Sequence, residues 1–175
     1  MNQAHPAVID NLPEFLLHAI TLERESVDRY EELAESMAVH NNPGMAELFH
    51  KLAHFGRLHA NEIEQHAAAL VLPDIAPWNF KWSTPEGPES GTRDGVHYLM
   101  DQREALEHAL YNETQGRDFY ASVASSSPDE EVRELAAQFS REESEHVAIL
   151  ESWLTRLAPQ NTRRMEDLDP PNSPD

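Results

Sequence analysis

In the stretch FSREESEHVAIL, Glu143 and His146 stand three residues apart, about 60° on an α-helix, in register with the apolar Phe139 and Leu150. A carboxylate oxygen and an imidazole nitrogen on adjacent turns can grip one cation or two neighbouring ones. Two more carboxylates interrupt apolar stripes: Glu23 among Ala19, Ile20, Val27 and Tyr30, and Glu113 among Ala109, Leu110 and Tyr120. An ionised carboxylate facing a core is costly unless it is paired or bound to a cation. Each has a tyrosine two turns along its face, Tyr30 and Tyr120, placed to hydrogen-bond a neighbouring ligand.

Four long segments with helical periodicity must position these groups. The first runs from about Pro13 to Val39. The second opens at Asn42 and Pro43, an N-cap followed by a residue suited to the first turn, and continues to about Leu70. The third spans about Gly95 to Ser125. The fourth runs to about Leu157 and opens on SPDE, with Ser127 and Glu130 read as a capping box.

The first and third segments align without gaps. HAITLERESVDRYEELAES (His18 to Ser36) and HALYNETQGRDFYASVASS (His108 to Ser126) share the His-Ala pair, the glutamate, the tyrosine and a following alanine. Two copies of one helical hairpin are therefore expected. In the second helix, KLAHFGRLHANEIEQHA, His59 matches His146, and the place matching Glu143 is Gly56. Glu62, one turn beyond His59, is a possible extra ligand, able to swing towards a metal short of a carboxylate. His50, His54 and His66 read as solvated residues or as supports beside the ligands, not as ligands. His18 and His108 lie some 140° round the helix from the glutamates and read as repeat relics or interface residues.

Short links make each helical pair antiparallel. The crossover between the second and third helices, about residues 71–94, carries Trp78, Phe80 and Trp82 among its prolines and glycines, which suits a packed connection. The fold class is all-α: a ferritin-like four-helix bundle over residues 13–157 with a long crossover. Residues 158–175 form an acidic, proline-rich tail expected to be disordered.

Thirteen Lys and Arg against 32 Asp and Glu give a net charge of −19, which disfavours nucleic acid and anionic membranes and favours cations. With no cysteine, any metal must sit on His, Asp and Glu. The opening residues lack the layout of an export signal, and no run is long and apolar enough to span a bilayer, so a cytoplasmic protein is expected.

The constellation resembles the rubrerythrin branch of the ferritin-like diiron-carboxylate family over about residues 13–157. The resemblance rests on Glu23 with Tyr30, the incomplete motif ending in His59, Glu113 with Tyr120, and Glu143-x-x-His146. It implies a non-haem centre of two iron ions, with manganese or zinc as alternatives, held by Glu23 and Glu113 as terminal carboxylates, His59 and His146 as imidazole ligands, and Glu143 as a bridge. The implied chemistry is a diiron oxidoreductase that reacts Fe(II) with O2 or peroxide, using an external electron donor, in a homodimer. Iron binding or storage without turnover, and a metal-free helical interaction protein, are the alternatives. Two positions depart from the family pattern. Gly56 lacks the second bridging carboxylate, and Gly116 stands where rubrerythrins carry a further redox-switching Glu. The glycine at 56 sets the expectation of a pocket beside the metals, filled by solvent, substrate or Glu62, or of one weakened metal position.

Overall fold

The computed structural model describes residues 8–82 and 100–157. Among these residues are four α-helices, α1 (Leu12–Val39), α2 (Pro43–Ala67), α3 (Gln102–Ser126) and α4 (Glu130–Arg156), and a 3-10 turn at Pro77–Asn79. The described residues include no strand. Helices α1 and α2 form one hairpin and α3 and α4 the other, and the two hairpins face each other as a four-helix bundle. No helix among the described residues is long and apolar enough to cross a membrane. The second half of the crossover, from residue 83 on, and the whole acidic tail lie outside the described residues.

The helix ends follow local chemistry, and not always as the sequence reading has it. Asn11 caps α1, its side chain accepting from the Glu14 N–H at 3.0 Å, with Pro13 in the first turn. Asn42 does precede α2, but its side chain makes no cap bond and instead accepts from Gln102 of α3. Helix α3 begins at Gln102, later than Gly95, because Asp101 and Glu104 form a reciprocal capping box of 2.9 Å bonds. In α4 the cap is Asp129, not Ser127: the aspartate accepts from the Val132 N–H at 3.1 Å, whereas the Ser127 hydroxyl accepts from the Asp129 N–H. Asp satisfies an N-cap as well as Ser does and adds charge favourable at a helix start. Helix α2 stops at Ala67, leaving Leu70 exposed.

Two apolar clusters occupy the bundle. One gathers Tyr30, Leu33, Met37, Phe49, Leu52, Leu106 and Leu150. The other gathers Phe15, Leu16, Ile20, Ile63, Phe119, Tyr120 and Phe139. Glu23, Glu113, Glu143 and His146 belong to neither, yet all are buried. The apolar clusters therefore hold a polar middle in place.

The described end of the crossover packs on this frame through a residue the sequence reading set aside. His18 is fully buried: its Nδ1 donates to the Glu14 carbonyl at 2.8 Å, and its Nε2 accepts from the Lys81 backbone N–H at 2.9 Å. This pair of bonds fixes the neutral ring. Phe80 and Trp82 stack against each other and flank the imidazole, while the Lys81 ammonium pairs with Glu14 at 2.7 Å. Trp82 thus packs the crossover onto the bundle, whereas Trp78 is 83% exposed on this chain.

Candidate metal centre

Glu23 of α1, Glu113 of α3 and Glu143 of α4 converge at mid-bundle, each 1–3% exposed. Glu143 brings a carboxylate oxygen into a common donor group with each of the other two. The tyrosines act across the hairpins: Tyr30 donates to Glu113 Oε1, and Tyr120 donates to Glu23 Oε1 at 3.2 Å. This crosswise pairing is what the repeat produces when two similar hairpins face each other, because each tyrosine lies two turns beyond its own glutamate.

The imidazoles complete the arrangement. His146 Nδ1 lies 3.3 Å from Glu113 Oε2 and 3.5 Å from Glu143 Oε2. His59 Nδ1 lies 3.9 Å from Glu23 Oε2. The two rings are nearly parallel with centroids 5.3 Å apart, and Phe55 stacks on His146 at 5.9 Å. Donor atoms of Glu23, His59 and Glu143 lie within 4.8 Å of one another, as do those of Glu113, Glu143 and His146. Two three-donor groups therefore share Glu143.

The charges are poorly balanced among the protein groups alone. Burial, then repulsion from Glu113, push the Glu23 pKa up to about 7, although His146 and hydrogen bonds from Glu143 and Tyr120 pull the other way. Burial would raise Glu113 too, but hydrogen bonds with Glu143, His146 and Tyr30 outweigh it and hold Glu113 below the usual range. For His146, burial disfavours the charged ring, yet the contact with Glu113 prevails and raises the pKa. Burial and the nearby His146 lower His59. Three touching carboxyls cannot all be ionised in a buried site without further positive charge. A mixed carboxylate and imidazole set that retains protons for lack of a counter-charge fits a divalent cation of the iron, manganese or zinc type.

The remaining candidates fall elsewhere. Glu62 is exposed, and its Oε1 accepts from Gln138 at 3.5 Å, outside both donor groups. His50, His54 and His66 are exposed, and His108 is half-buried beside Asn112. No pocket opens at Gly56. A Cβ placed there would lie 2.9 Å from Val27 Cγ2, so the valine fills the room the missing side chain was expected to leave. The sequence reading also passed over Glu142, whose Oε2 stands 3.8 Å from His59 Nε2 and whose Oε1 accepts from Gln138 at 3.0 Å. Its only signal was adjacency to Glu143.

With this geometry in view, the comparisons decide the family. The rubrerythrin family model matches residues 14–74 and 104–170. The chain belongs to the rubrerythrin family. This rubrerythrin-family chain is also similar to an uncharacterized conserved protein from Magnetospirillum magnetotacticum MS-1, known from a crystal structure at 2.00 Å. Identity is 44%, the match covers 85% of this chain and 97% of that one, and the TM-score is 0.72. No curated protein matches. The chain contains no cysteine, so it carries no rubredoxin-type thiolate iron site of its own.

Proposed function

We propose that this rubrerythrin-family protein is a non-haem iron protein in which Glu23, His59, Glu113, Glu143 and His146 hold two iron ions, and that Fe(II) reacts there with O2 or peroxide. The observation that carries the reading is the pair of three-donor groups sharing the buried Glu143. Bound iron would supply the redox chemistry that no side chain of the site offers. The chain's own residues orient, shield and move protons. Tyr120 and Tyr30 each occupy one oxygen of Glu23 and Glu113, which fixes the carboxylate planes. Glu142 beside His59 Nε2 favours a proton on that nitrogen and leaves Nδ1 free towards Glu23. Burial and the facing Glu113 push the Glu23 carboxyl up to about 7 while no cation is bound, so a cation taken up there would displace its proton.

Access is from the His59 side, where the imidazole is 20% exposed against 9% for His146. The reading brings with it an external electron donor, a cytoplasmic setting and a homodimer. The charge of −19 argues against nucleic acid and membranes as partners. Stopped-flow mixing of anaerobically Fe(II)-loaded protein with O2 or hydrogen peroxide tests the proposal. Oxidation faster than that of Fe(II) in buffer is expected, together with its loss in the Glu113→Gln/Glu143→Gln variant. Oxidation at the buffer rate, or retention of many ions per chain, would replace the proposal with binding or storage without turnover.

A further inference from the structure

Gly56 and Glu143 hold matching places in the two hairpins, and so do Val27 and Arg117. The two pairs differ together. At Gly56 the built Cβ falls 2.9 Å from Val27 Cγ2, 3.8 Å from the Glu23 carbonyl oxygen and 4.0 Å from Glu23 Oε2. The first distance is a steric overlap. Valine on a helix has one strongly preferred rotamer, so its methyl cannot swing aside as the end of a long side chain does. In the other hairpin the Arg117 guanidinium instead bonds the exposed Asp118 at 2.9–3.0 Å, and no branched side chain of that position crowds Glu143. Glycine alone would leave a gap open to a carboxylate from elsewhere. Glycine with valine closes the position itself.

The consequences for the two donor groups are unequal. Glu113, Glu143 and His146 are all buried, with His146 Nδ1 within 3.5 Å of both carboxylates. Glu23 and His59 stand 3.9 Å apart, His59 is partly exposed, and among the described residues the third donor in their group is the shared Glu143. We propose that Val27, seated against Gly56, is a specificity-determining residue that makes the centre two unequal cation positions, a tight one at Glu113/Glu143/His146 and an exchangeable one at Glu23/His59. This rests on the metal-centre reading above and adds an order of filling and a residue that enforces it.

Calorimetric and visible-absorbance titration of the metal-free full chain with Co(II) tests the proposal without reference to turnover. Two steps are expected, the second weaker by at least about 10–100-fold, the loss that even an outer-shell partner of a ligand can cause. His59→Ala should delete the weak step and spare the tight one. Val27→Ala/Gly56→Glu should strengthen the weak step, whereas Gly56→Glu alone should not, because the valine still occupies the approach. Two indistinguishable steps in the parent would overturn the asymmetry, as would equal tightening by Gly56→Glu alone. His59→Ala needs no new side chain to be accommodated, so it keeps the test decisive if the glutamate variants misfold. Failure to retain Co(II) at either position would overturn the metal-centre reading itself.

Discussion

Replacing Glu23 by Gln removes one buried charge while keeping the side-chain length and an oxygen that can accept from Tyr120, 3.2 Å away. Burial and the facing Glu113 move the Glu23 pKa from 4.5 up to about 7. A folded-state pKa above the unfolded one means that the fold prefers the protonated carboxyl. Its contribution is fully present below 4.5 and is lost as pH rises through about 7. The interval corresponds to about 3 kcal/mol, or roughly 6–12 °C of thermal midpoint for a chain of this size. His146, raised above 6.5, acts in the same direction, its share being lost as pH rises through its folded pKa. His18 and His59, lowered, act oppositely: their share is present above 6.5 and is lost as pH falls. Comparing parent with variant removes the His18 contribution and leaves Glu23 with its coupling to Glu113 and His146. The assay is urea unfolding of the metal-free protein, with chelator, between about pH 5 and about pH 8. Glu23→Gln should gain stability relative to the parent across that range, by up to about 3 kcal/mol. Parallel parent and variant curves would refute the argument that Glu23 is a strained, uncompensated carboxylate.

Three further outcomes follow from the same geometry. Gly56→Ala should lower stability by about 1–3 kcal/mol through overpacking against Val27, despite a helix-propensity gain of about 1 kcal/mol, and Val27→Ala should relieve that loss; chemical denaturation of the three variants checks this. His18→Ala should cost about 2–3 kcal/mol, from two hydrogen bonds and lost ring contacts, and limited proteolysis should then cleave faster near Lys81. Divalent cation binding should release about two protons at pH 6, where Glu23 and His146 are both still protonated, and fewer at pH 8; calorimetry in buffers of different ionisation enthalpy measures the number.

The helices, their pairing and the convergence of Glu23, Glu113, Glu143 and His146 were legible because each signal is local. Periodicity marks the inward face, and the gap-free repeat tells which residues face each other. Tyr30 and Tyr120 were legible as hydrogen-bond donors on the carboxylate face for the same reason, although their crosswise partners needed the bundle to be assembled. What the sequence concealed was contact between residues far apart along it. Val27 reads as one more apolar stripe member until Gly56 is set against it, and only then does the glycine become a close-packed position instead of a pocket. His18 lies off the carboxylate face, and nothing in its own helix announces that the Lys81 N–H will meet it. Asp129 displaced Ser127 as a cap because both are good cap residues within two positions of each other, and local pattern does not rank them.

The central claim is that five side chains, Glu23, His59, Glu113, Glu143 and His146, together hold a pair of cations. Anomalous diffraction at the iron edge, on crystals loaded with Fe(II) without oxygen, tests it most directly. Two anomalous peaks between these residues, flanking Glu143 and with the lower occupancy on the Glu23 and His59 side, are the result the account predicts. The absence of any peak among the five would contradict it.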